Sequence, residues 1–523
     1  MSEAAKIPDV VDSGLDVPGM PGQIRLIPSS GAPTAAARWW RIADLGVWGV
    51  WIAVVSFTLR YHEKWADEAQ AWLIARDLDL KTIWFHELRY EGSPGLWHTI
   101  LWIAQHVFHA RYEALGYIGM AGAAAGVALL IFKAPFPRYI RWPLAFSYFM
   151  VYQYAVIARP YTLLPLLTFA AAVLFKDLEH PERITVVLVL LANLSLHGTI
   201  LAGCLGLVYV MDAYRARETF DARVRRKYWI CIGVMVAVFV FVVLVVKPTP
   251  DVEELAVKRE LAQLSPDEQA RIHLPNLFRK LTTITSGAFL DWFGPSVGFL
   301  SLTAAWCFMR CRLLLFVTCV GTMILFYAKI HGAPHHHGTA FVAALTVFWI
   351  AWPSAAERRV FGLVETRCLR GITALLLCLC GLNVWDAAIV IYREYLYPYS
   401  GAKDAAEYLR SAGADQHPMF GFLMGVAGVQ AYFDHNVLSN IPTTYFHHGT
   451  PEAGTNLDVD QLRSAAPQYI LIYTQDPDLT MRVNIPTLMA EGYAIDHFSD
   501  GYYLYKRAVF ERETYFILRR VRP

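Results

Sequence analysis

Long runs of uncharged, apolar residues most strongly limit how this chain of 523 residues can fold. Four such runs, each near the length that crosses the hydrocarbon core of a bilayer, are residues 114–132, 142–158, 228–246 and 338–356. Only 17% of the residues are charged, 56% are hydrophobic, and the mean hydropathy is +0.35. Because a soluble chain usually carries about a quarter charged residues, we expect a multi-pass membrane protein rather than a single soluble core.

The net charge and the positions of the cysteines limit which partners, disulfides and metal sites we expect. The formal net charge is only +2, so no overall positive field favours nucleic acid, and the 14% aromatic share fits membrane-interface belts. All eight cysteines occur at or before Cys380, in or beside expected spans, so the C-terminal part can hold no disulfide. Their CxC and CxxxC spacings favour packing within the membrane over metal binding.

Clusters of Arg and Lys mark the cytoplasmic loops. The strongest cluster lies in residues 215–227, and alternating from it places the N-terminus inside and everything after about residue 392 outside. Arg38 inside and Arg159 outside require an odd number of crossings between them, yet four apolar candidates lie there. One of the segments 95–110, 114–132 and 142–158 therefore does not cross as expected; the first is favoured, or a helix pair turns back within the membrane. We expect about 11–13 spans.

The predicted fold class is an all-α polytopic membrane protein with a C-terminal soluble α/β domain. Residues 1–40, rich in Pro, Gly, Ser and Ala, are expected to be a disordered cytoplasmic tail. The remaining predicted parts are a transmembrane domain over 41–392, with outer loops at 61–94 and 247–295, and a periplasmic domain over 393–523.

Local patterns predict details within these parts. In the C-terminal domain, AKDAAEYLR has a helical period, YILIYT reads as a strand, and YAIDHFSDGYYLYKR reads as a hairpin turning at Asp500 and Gly501. Gly122 and Gly126, in GAAAG, suit close helix packing. The charged outer segment 247–295 either caps a cavity or is a solvated helix.

The first outer loop carries acidic residues at both ends. Asp67 and Glu68 follow the first span and begin a helix-like stretch expected to lie on the membrane surface. Adjacent carboxylates at a helix start often only cap it or complement its dipole, which is the structural alternative to a catalytic role. Glu91 stands in the turn EGSP that closes the same loop.

The order of four motifs, DEAQAW, EGSPGLW, YQYAVIARPY and HGAPHHHG, resembles the GT-C superfamily of polyprenyl-phosphate-dependent glycosyltransferases. Protein O-mannosyltransferases and lipid A aminoarabinose transferases belong to it, and the pattern is most similar to a set of uncharacterised bacterial members. The resemblance covers roughly residues 42–360. One departure is that this set has Arg-His-His-Gly in the late loop, whereas His335 stands before His336, His337 and Gly338 here.

The resemblance implies an inverting transfer of a sugar from a polyprenyl-monophosphate carrier to a periplasmic glycan, lipid or protein. By motif position Asp67 is the general base, Glu68 supports it or exchanges roles with it, and Glu91 binds acceptor or metal. The groups expected to bind the donor phosphate are Arg159, Tyr161, Lys329, His331, His336 and His337, and His197 is expected to line the cavity.

Each of these assignments has an alternative. Arg159 and Tyr161 could be ordinary interface residues, with the Arg side chain reaching the headgroup region. The histidine loop fits phosphate better than metal, because consecutive histidines cannot all point inward. No cofactor is certain, and a divalent metal stays open. His447 and His448, in the C-terminal part, are expected at the surface.

Other functions fit less well. A transporter would place ionisable groups at the midplane of broken helices, and a dozen spans exceed what the anchor of an envelope assembly or binding protein needs. An O-antigen polymerase or ligase would rely on outer-loop Arg and His rather than on a carboxylate pair after span one. The expected location is the bacterial inner membrane, with membrane lipids, donor and acceptor as partners.

Overall fold

The computed structural model describes residues 35–249, 266–329, 334–447 and 459–521. The chain divides into two units, Met1–Ala43 and Asp44–Pro523. In the first, the described residues are helical, and Trp39 and Trp40 are exposed. The second unit holds everything discussed below.

Among the described residues, five helices are long and apolar enough to cross a membrane: Arg38–Leu59, Tyr112–Lys133, Leu196–Arg215, Ala222–Val246 and Leu363–Leu396. A sixth candidate is a pair bent by 74°, Leu277–Ala288 with Phe293–Met309, and shorter apolar helices are Pro160–Leu174, Leu313–Ala328 and His337–Ala351. The expected polytopic helical membrane protein is confirmed. The number of spans stays a prediction, because length and composition alone do not say which short helices cross.

The remaining helices of eight or more residues connect or flank these segments. They are Ala66–Asp77, Leu96–His106, Arg138–Ala145, Pro181–Ala192, Ala402–Ser411 and Pro477–Ala490. The first helix of the bent pair begins earlier, at Pro266, so that it covers Pro266–Ala288. Three π-helical turns interrupt the membrane part, at Ile83–Glu87, Phe149–Gln153 and Val317–Gly321. Such turns are rare and are frequent at functional sites.

The C-terminal part contains a four-stranded mixed sheet, as expected from the sequence. Its strands are β1 (Met419–Phe422), β2 (Tyr469–Thr474), β3 (Tyr493–Tyr505) and β4 (Ala508–Arg520), in the order β1-β2-β4-β3. The β1–β2 pair is parallel, and β4 runs antiparallel to both β2 and β3. Alternate residues of β2 enter two separate apolar cores, which explains its nearly continuous hydrophobicity.

The hairpin turn lies at Lys506 and Arg507, so the turn predicted at Asp500 and Gly501 is wrong. Both residues are inside β3, where Gly501 pairs with Glu513 of β4. A Cβ on Gly501 would stand 2.5 Å from Ser400 Cα, so glycine is needed there for close backbone approach rather than for a turn.

The tip of this hairpin is anchored in the membrane part. The Tyr505 hydroxyl lies 3.3 Å from His337 Nδ1 and donates to the Gly287 carbonyl. Next to it, Lys506 and Arg507 form ion pairs with two carboxylates, Asp291 and the fully buried Asp386. The sheet is thereby held against the turn at Gly287 and Asp291, the start of helix His337–Ala351 and the helix Leu363–Leu396.

The close packing predicted for GAAAG is confirmed. A Cβ on Gly126 would stand 2.8 Å from the backbone nitrogen of Leu166, and one on Gly122 would stand 2.3 Å from Leu163 Cδ2. The Tyr112–Lys133 helix therefore lies against the segment that follows Arg159, which is the segment carrying the candidate site.

Candidate functional site

A cavity of about 290 Å³, hereafter the acidic cavity, brings together segments that are far apart in sequence. Six of the residues singled out from the sequence line it: Asp67, Glu91, Arg159, Tyr161, His197 and His336. Further lining residues are Ala71, Gly92, Ser93, Trp97, His98, Pro160, Ser195, Leu196, Phe326 and Tyr327. The loop that follows the first helix thus meets the ends of three later segments.

Asp67 and Arg159 form the charged pair of the cavity. Asp67 lies in the first turn of helix Ala66–Asp77, and its Oδ2 is 2.7 Å from Arg159 Nη1. Arg159 precedes Pro160 and has an extended backbone, as the proline ring requires, which ends the preceding helical turns and directs the guanidinium to the site. The same Nη1 is 3.1 Å from His335 Nε2.

Aromatic rings flank the guanidinium. Its carbon lies 5.7 Å from the centre of the Trp65 ring and 5.8 Å from that of Tyr161, within the range of cation–π attraction. These faces hold the Arg159 head in place while leaving it 22% exposed. An anion entering the cavity can therefore reach a guanidinium that is already oriented.

Beside the Arg159 guanidinium lies a wall of polar aromatic side chains, formed by Tyr161, His197, Tyr327 and His336. The Tyr161 hydroxyl is 3.3 Å from His197 Nδ1, and His336 stacks on Tyr327 with ring centres 5.7 Å apart. Burial lowers the pKa of His336 well below its usual range, so the ring is a neutral hydrogen-bonding group at pH 7. The wall can hydrogen-bond an anion without adding charge.

His197 is held by a helix start that its neighbours dictate. Ser195 caps helix Leu196–Arg215 by accepting from the Gly198 N–H at 3.1 Å. A Cβ on Gly198 would stand 2.3 Å from the Leu191 carbonyl oxygen, so only glycine allows the tight turn between the two helices. This turn places His197 at the cavity, as predicted.

Glu91 is the second carboxylate of the cavity. It ends a short helix at Gly92, whose φ of +58° favours glycine, and its Oε1 accepts from Gln70 Nε2 at 2.8 Å. Its Oε2 is 3.9 Å from His98 Nε2, about 1 Å longer than a hydrogen bond. Gln70 also donates to the Phe446 carbonyl and accepts from the Phe446 N–H, which ties Glu91 to the C-terminal part.

Glu68 faces away from the cavity and is fully buried. Its Oε1 accepts from the Ala158 N–H at 2.7 Å, and its Oε2 contacts His62 Nε2 at 3.0 Å and the Trp65 N–H at 3.3 Å. Burial would raise the pKa of Glu68, but the charged His62 and these hydrogen bonds lower it. The two adjacent carboxylates therefore occupy different environments.

Of the expected phosphate ligands, His337 does not line the acidic cavity. It is buried against Tyr505 instead, because it begins the helix that continues away from the site. His331 and the side chain of Lys329 lie outside the described residues. Within the described ranges, no group of three or more His, Cys, Asp or Glu side chains could hold a metal ion.

Sequence reasoning missed several lining residues. His98, Phe326 and Tyr327 lie in apolar segments that read as span residues, and Ser195 reads as a simple cap. His335 replaces the expected Arg of the late loop and contacts Arg159, which its position in the HHHG run could have indicated. His447, expected at the surface, is partly buried, stacks on Tyr90 and contacts Glu87, whereas His448 lies outside the described residues.

No protein-family model and no curated protein matches the sequence. The chain superposes on the crystal structure of ArnT from Cupriavidus metallidurans in the apo state with a TM-score of 0.52. Identity is 14%, and the match covers 92% of this chain and 98% of that one. ArnT bound to undecaprenyl phosphate gives a TM-score of 0.49 at 14% identity, with 93% and 98% covered. The first superposition shows that this chain shares the fold of that structure, which agrees with the expected polytopic architecture.

Proposed function

We propose that this protein is an inverting glycosyltransferase that moves a sugar from a polyprenyl-monophosphate carrier to a periplasmic glycan, lipid or protein. The observation that carries the proposal is the Asp67–Arg159 pair in one cavity, with a carboxylate for the base and an oriented guanidinium for the phosphate. The GT-C fold shared with ArnT supports it. The sugar and the acceptor are left open.

In the proposed reaction, Asp67 accepts the proton of an acceptor hydroxyl as its oxygen attacks the anomeric carbon. A bond forms between the acceptor oxygen and that carbon, and the bond from the carbon to the phosphate oxygen breaks on the opposite face. The leaving phosphate gains negative charge. Arg159 stabilises this charge, and Tyr161 and His336 of the aromatic wall add hydrogen bonds to it. Attack opposite the leaving group inverts the anomeric configuration.

The ion pair has a role before the reaction. Without donor, Asp67 is held by Arg159 at 2.7 Å. A phosphate that binds the guanidinium competes with this carboxylate and frees it to receive the acceptor proton. We therefore expect the base to be fully active only when the donor is bound.

Glu91 and its neighbours suit the acceptor side. Glu91 sits on the same cavity with one oxygen bound by Gln70 and the other free of any bond shorter than 3.9 Å among the described residues. A second carboxylate can accept a hydrogen bond from a sugar or acceptor hydroxyl and orient it toward Asp67. We assign no step to a metal.

An apolar groove offers room for the carrier chain. Its volume is about 300 Å³, and it runs between Pro181–Ala192, Leu196–Arg215 and Ala222–Val246, lined by residues such as Leu188, Gly203 and Phe239. Helix Leu196–Arg215 begins at the acidic cavity and continues into this groove. A lipid whose phosphate lies at Arg159 could thus leave the cavity along this helix. We place the protein in the bacterial inner membrane, with the cavity facing the periplasm.

The test is sugar transfer by the purified full chain, supplied with polyprenyl-phosphate sugars and an envelope extract. We expect Asp67→Asn to lower the rate at least about 100-fold and Arg159→Ala to weaken donor binding. Asp79→Asn is the matched control, since Asp79 is an exposed carboxylate of the same loop outside the cavity. Undiminished transfer by Asp67→Asn would remove the proposed mechanism.

A further inference from the structure

A buried chain of charged groups stands behind the Asp67–Arg159 pair. His62 Nε2 is 3.0 Å from Glu68 Oε2, and His62 Nδ1 is 2.7 Å from Glu394 Oε1. The side chains of both carboxylates are fully buried, and that of His62 is 1% exposed. The hydroxyl of Tyr152 donates to the other oxygen of Glu394.

Both ring nitrogens of His62 face carboxylate oxygens. A neutral imidazole can donate from only one nitrogen, so two such contacts require the imidazolium. Burial opposes this charge, but the attraction of Glu68 and Glu394 raises the pKa of His62 to about 10. The ring is therefore charged at neutral pH. It acts as a fixed cationic link and not as a proton donor to substrate.

This link joins three parts of the chain that are remote in sequence: residues 62–68, the turn that holds Tyr152, and the helix that holds Glu394. His62 follows the helix Arg38–Leu59, and Glu68 lies in the first turn of helix Ala66–Asp77. Glu394 lies near the end of helix Leu363–Leu396, and Tyr152 lies in the π-helical turn Phe149–Gln153. Glu394 is 332 positions from His62 along the chain. Only the folded membrane domain brings these groups together.

The link ends directly beside the reacting pair. Glu68 neighbours Asp67, and its Oε1 holds the N–H of Ala158, which neighbours Arg159. One carboxylate thus fixes the backbone of both segments that carry the ion pair. The Ala158 and Glu68 contact is 2.7 Å and buried, so water cannot replace it easily.

We infer that His62 and Glu394 are positioning residues, which act through Glu68 to hold Asp67 and Arg159 in register. This inference rests on the proposed function. Neither residue lines the acidic cavity, so neither touches the donor or the acceptor. Their role is to keep the carboxylate and the guanidinium at the separation the reaction needs, since a misplacement of about 1 Å can cost a factor of about 100 in rate.

The experiment compares kcat and donor KM of His62→Gln and Glu394→Gln with those of the wild type, per folded molecule. Glu394→Gln keeps the shape of the side chain but removes its charge and one of its two acceptor oxygens, and it serves where His62→Gln does not fold. We expect kcat/KM to fall about 10- to 100-fold, mostly in kcat. His62→Lys, which keeps a cation between the carboxylates, should recover part of the loss.

A double-mutant cycle separates positioning from general destabilisation. If His62 acts through the ion pair, His62→Gln should add little to the defect of Arg159→Ala, because the pair is already lost. Asp44→Asn is the matched control, since Asp44 is a buried carboxylate on the first helix, held by Arg138 and Arg141 away from the cavity. It should lower the melting temperature and leave kcat unchanged.

Two results overturn the inference. One is a His62→Gln protein whose kcat and KM per folded molecule equal those of Asp44→Asn. The other is full additivity of His62→Gln with Arg159→Ala. Failure of the proposed function is distinguishable, because Asp67→Asn would then transfer sugar at the wild-type rate whatever His62 does.

Discussion

Arg159 and Asp67 stand 2.7 Å apart with 22% and 27% of their side chains exposed, so the pair is open to a ligand on one side and supported by protein on the other. A pair that is only partly desolvated can be opened by a competing anion. A phosphate-bearing donor would compete with Asp67 for Arg159 in this way. Binding of the leaving group, polyprenyl monophosphate, can therefore be used to test the site.

Free polyprenyl monophosphate should inhibit the wild-type enzyme as a product. Arg159→Ala should raise its inhibition constant about 10- to 100-fold, since a hydrogen bond to a charged group contributes about 1.5–3 kcal/mol. Arg89→Ala, which removes an exposed guanidinium from the same outer loop, should change it little. Equal inhibition constants in all three proteins would show that the phosphate binds elsewhere.

The raised pKa of His62 predicts how stability depends on pH. Its folded value of about 10 lies above the usual 6.5, so its stabilising contribution is complete below pH 6.5 and is lost as pH rises toward 10. The melting temperature of the wild type in detergent should therefore fall from pH 7 to pH 10. The fall should be smaller in His62→Gln and unchanged in Asp44→Asn, and parallel curves for all three would contradict the assignment.

Gln70 connects the acidic cavity to the C-terminal part. Gln70→Leu removes the donor to Glu91 and leaves the buried N–H and carbonyl of Phe446 without their partner. We expect about a tenfold lower kcat/KM for the acceptor and faster proteolysis near Phe446. Gln105→Leu, which removes a hydrogen bond to the Trp72 carbonyl in the same region, should do neither.

The anchored hairpin tip predicts a difference between two aspartates. Asp291→Asn should destabilise the protein by about 1–3 kcal/mol, since Lys506 and Arg507 lose a partly buried carboxylate. Asn also tolerates the backbone φ of +63° at this position, so the effect isolates the charge. Asp500→Asn breaks a more exposed pair with Arg512 and should cost less than about 1 kcal/mol in unfolding experiments.

Close helix packing predicts that two neighbouring glycines differ. A Cβ on Gly126 would meet backbone of Leu166, which cannot move alone, whereas one on Gly122 would meet the end of the Leu163 side chain. Gly126→Ala should therefore lower stability by about 1–3 kcal/mol and Gly122→Ala by less. The melting temperatures of the two purified variants decide this, and a reversed order would be inconsistent with the packing.

The sequence by itself determined the class of fold and an expected membrane side for the site. Apolar runs of span length require helices, because backbone groups in hydrocarbon must bond within their own segment. Basic loops then orient the chain, so the order of charged and apolar segments alone assigns Asp67, Glu91, Arg159, His197 and His336 to one face of the membrane.

The tertiary structure alone decided which of two adjacent residues lines the cavity. Successive helix residues point about 100° apart, so Asp67 and Glu68 must face different surroundings, but the pattern does not say which one meets the cavity. That depends on His62 and Glu394 arriving behind Glu68 from distant parts of the chain. The tertiary structure likewise separates His336 from His337. His337 packs against Tyr505, so only His336 lines the cavity.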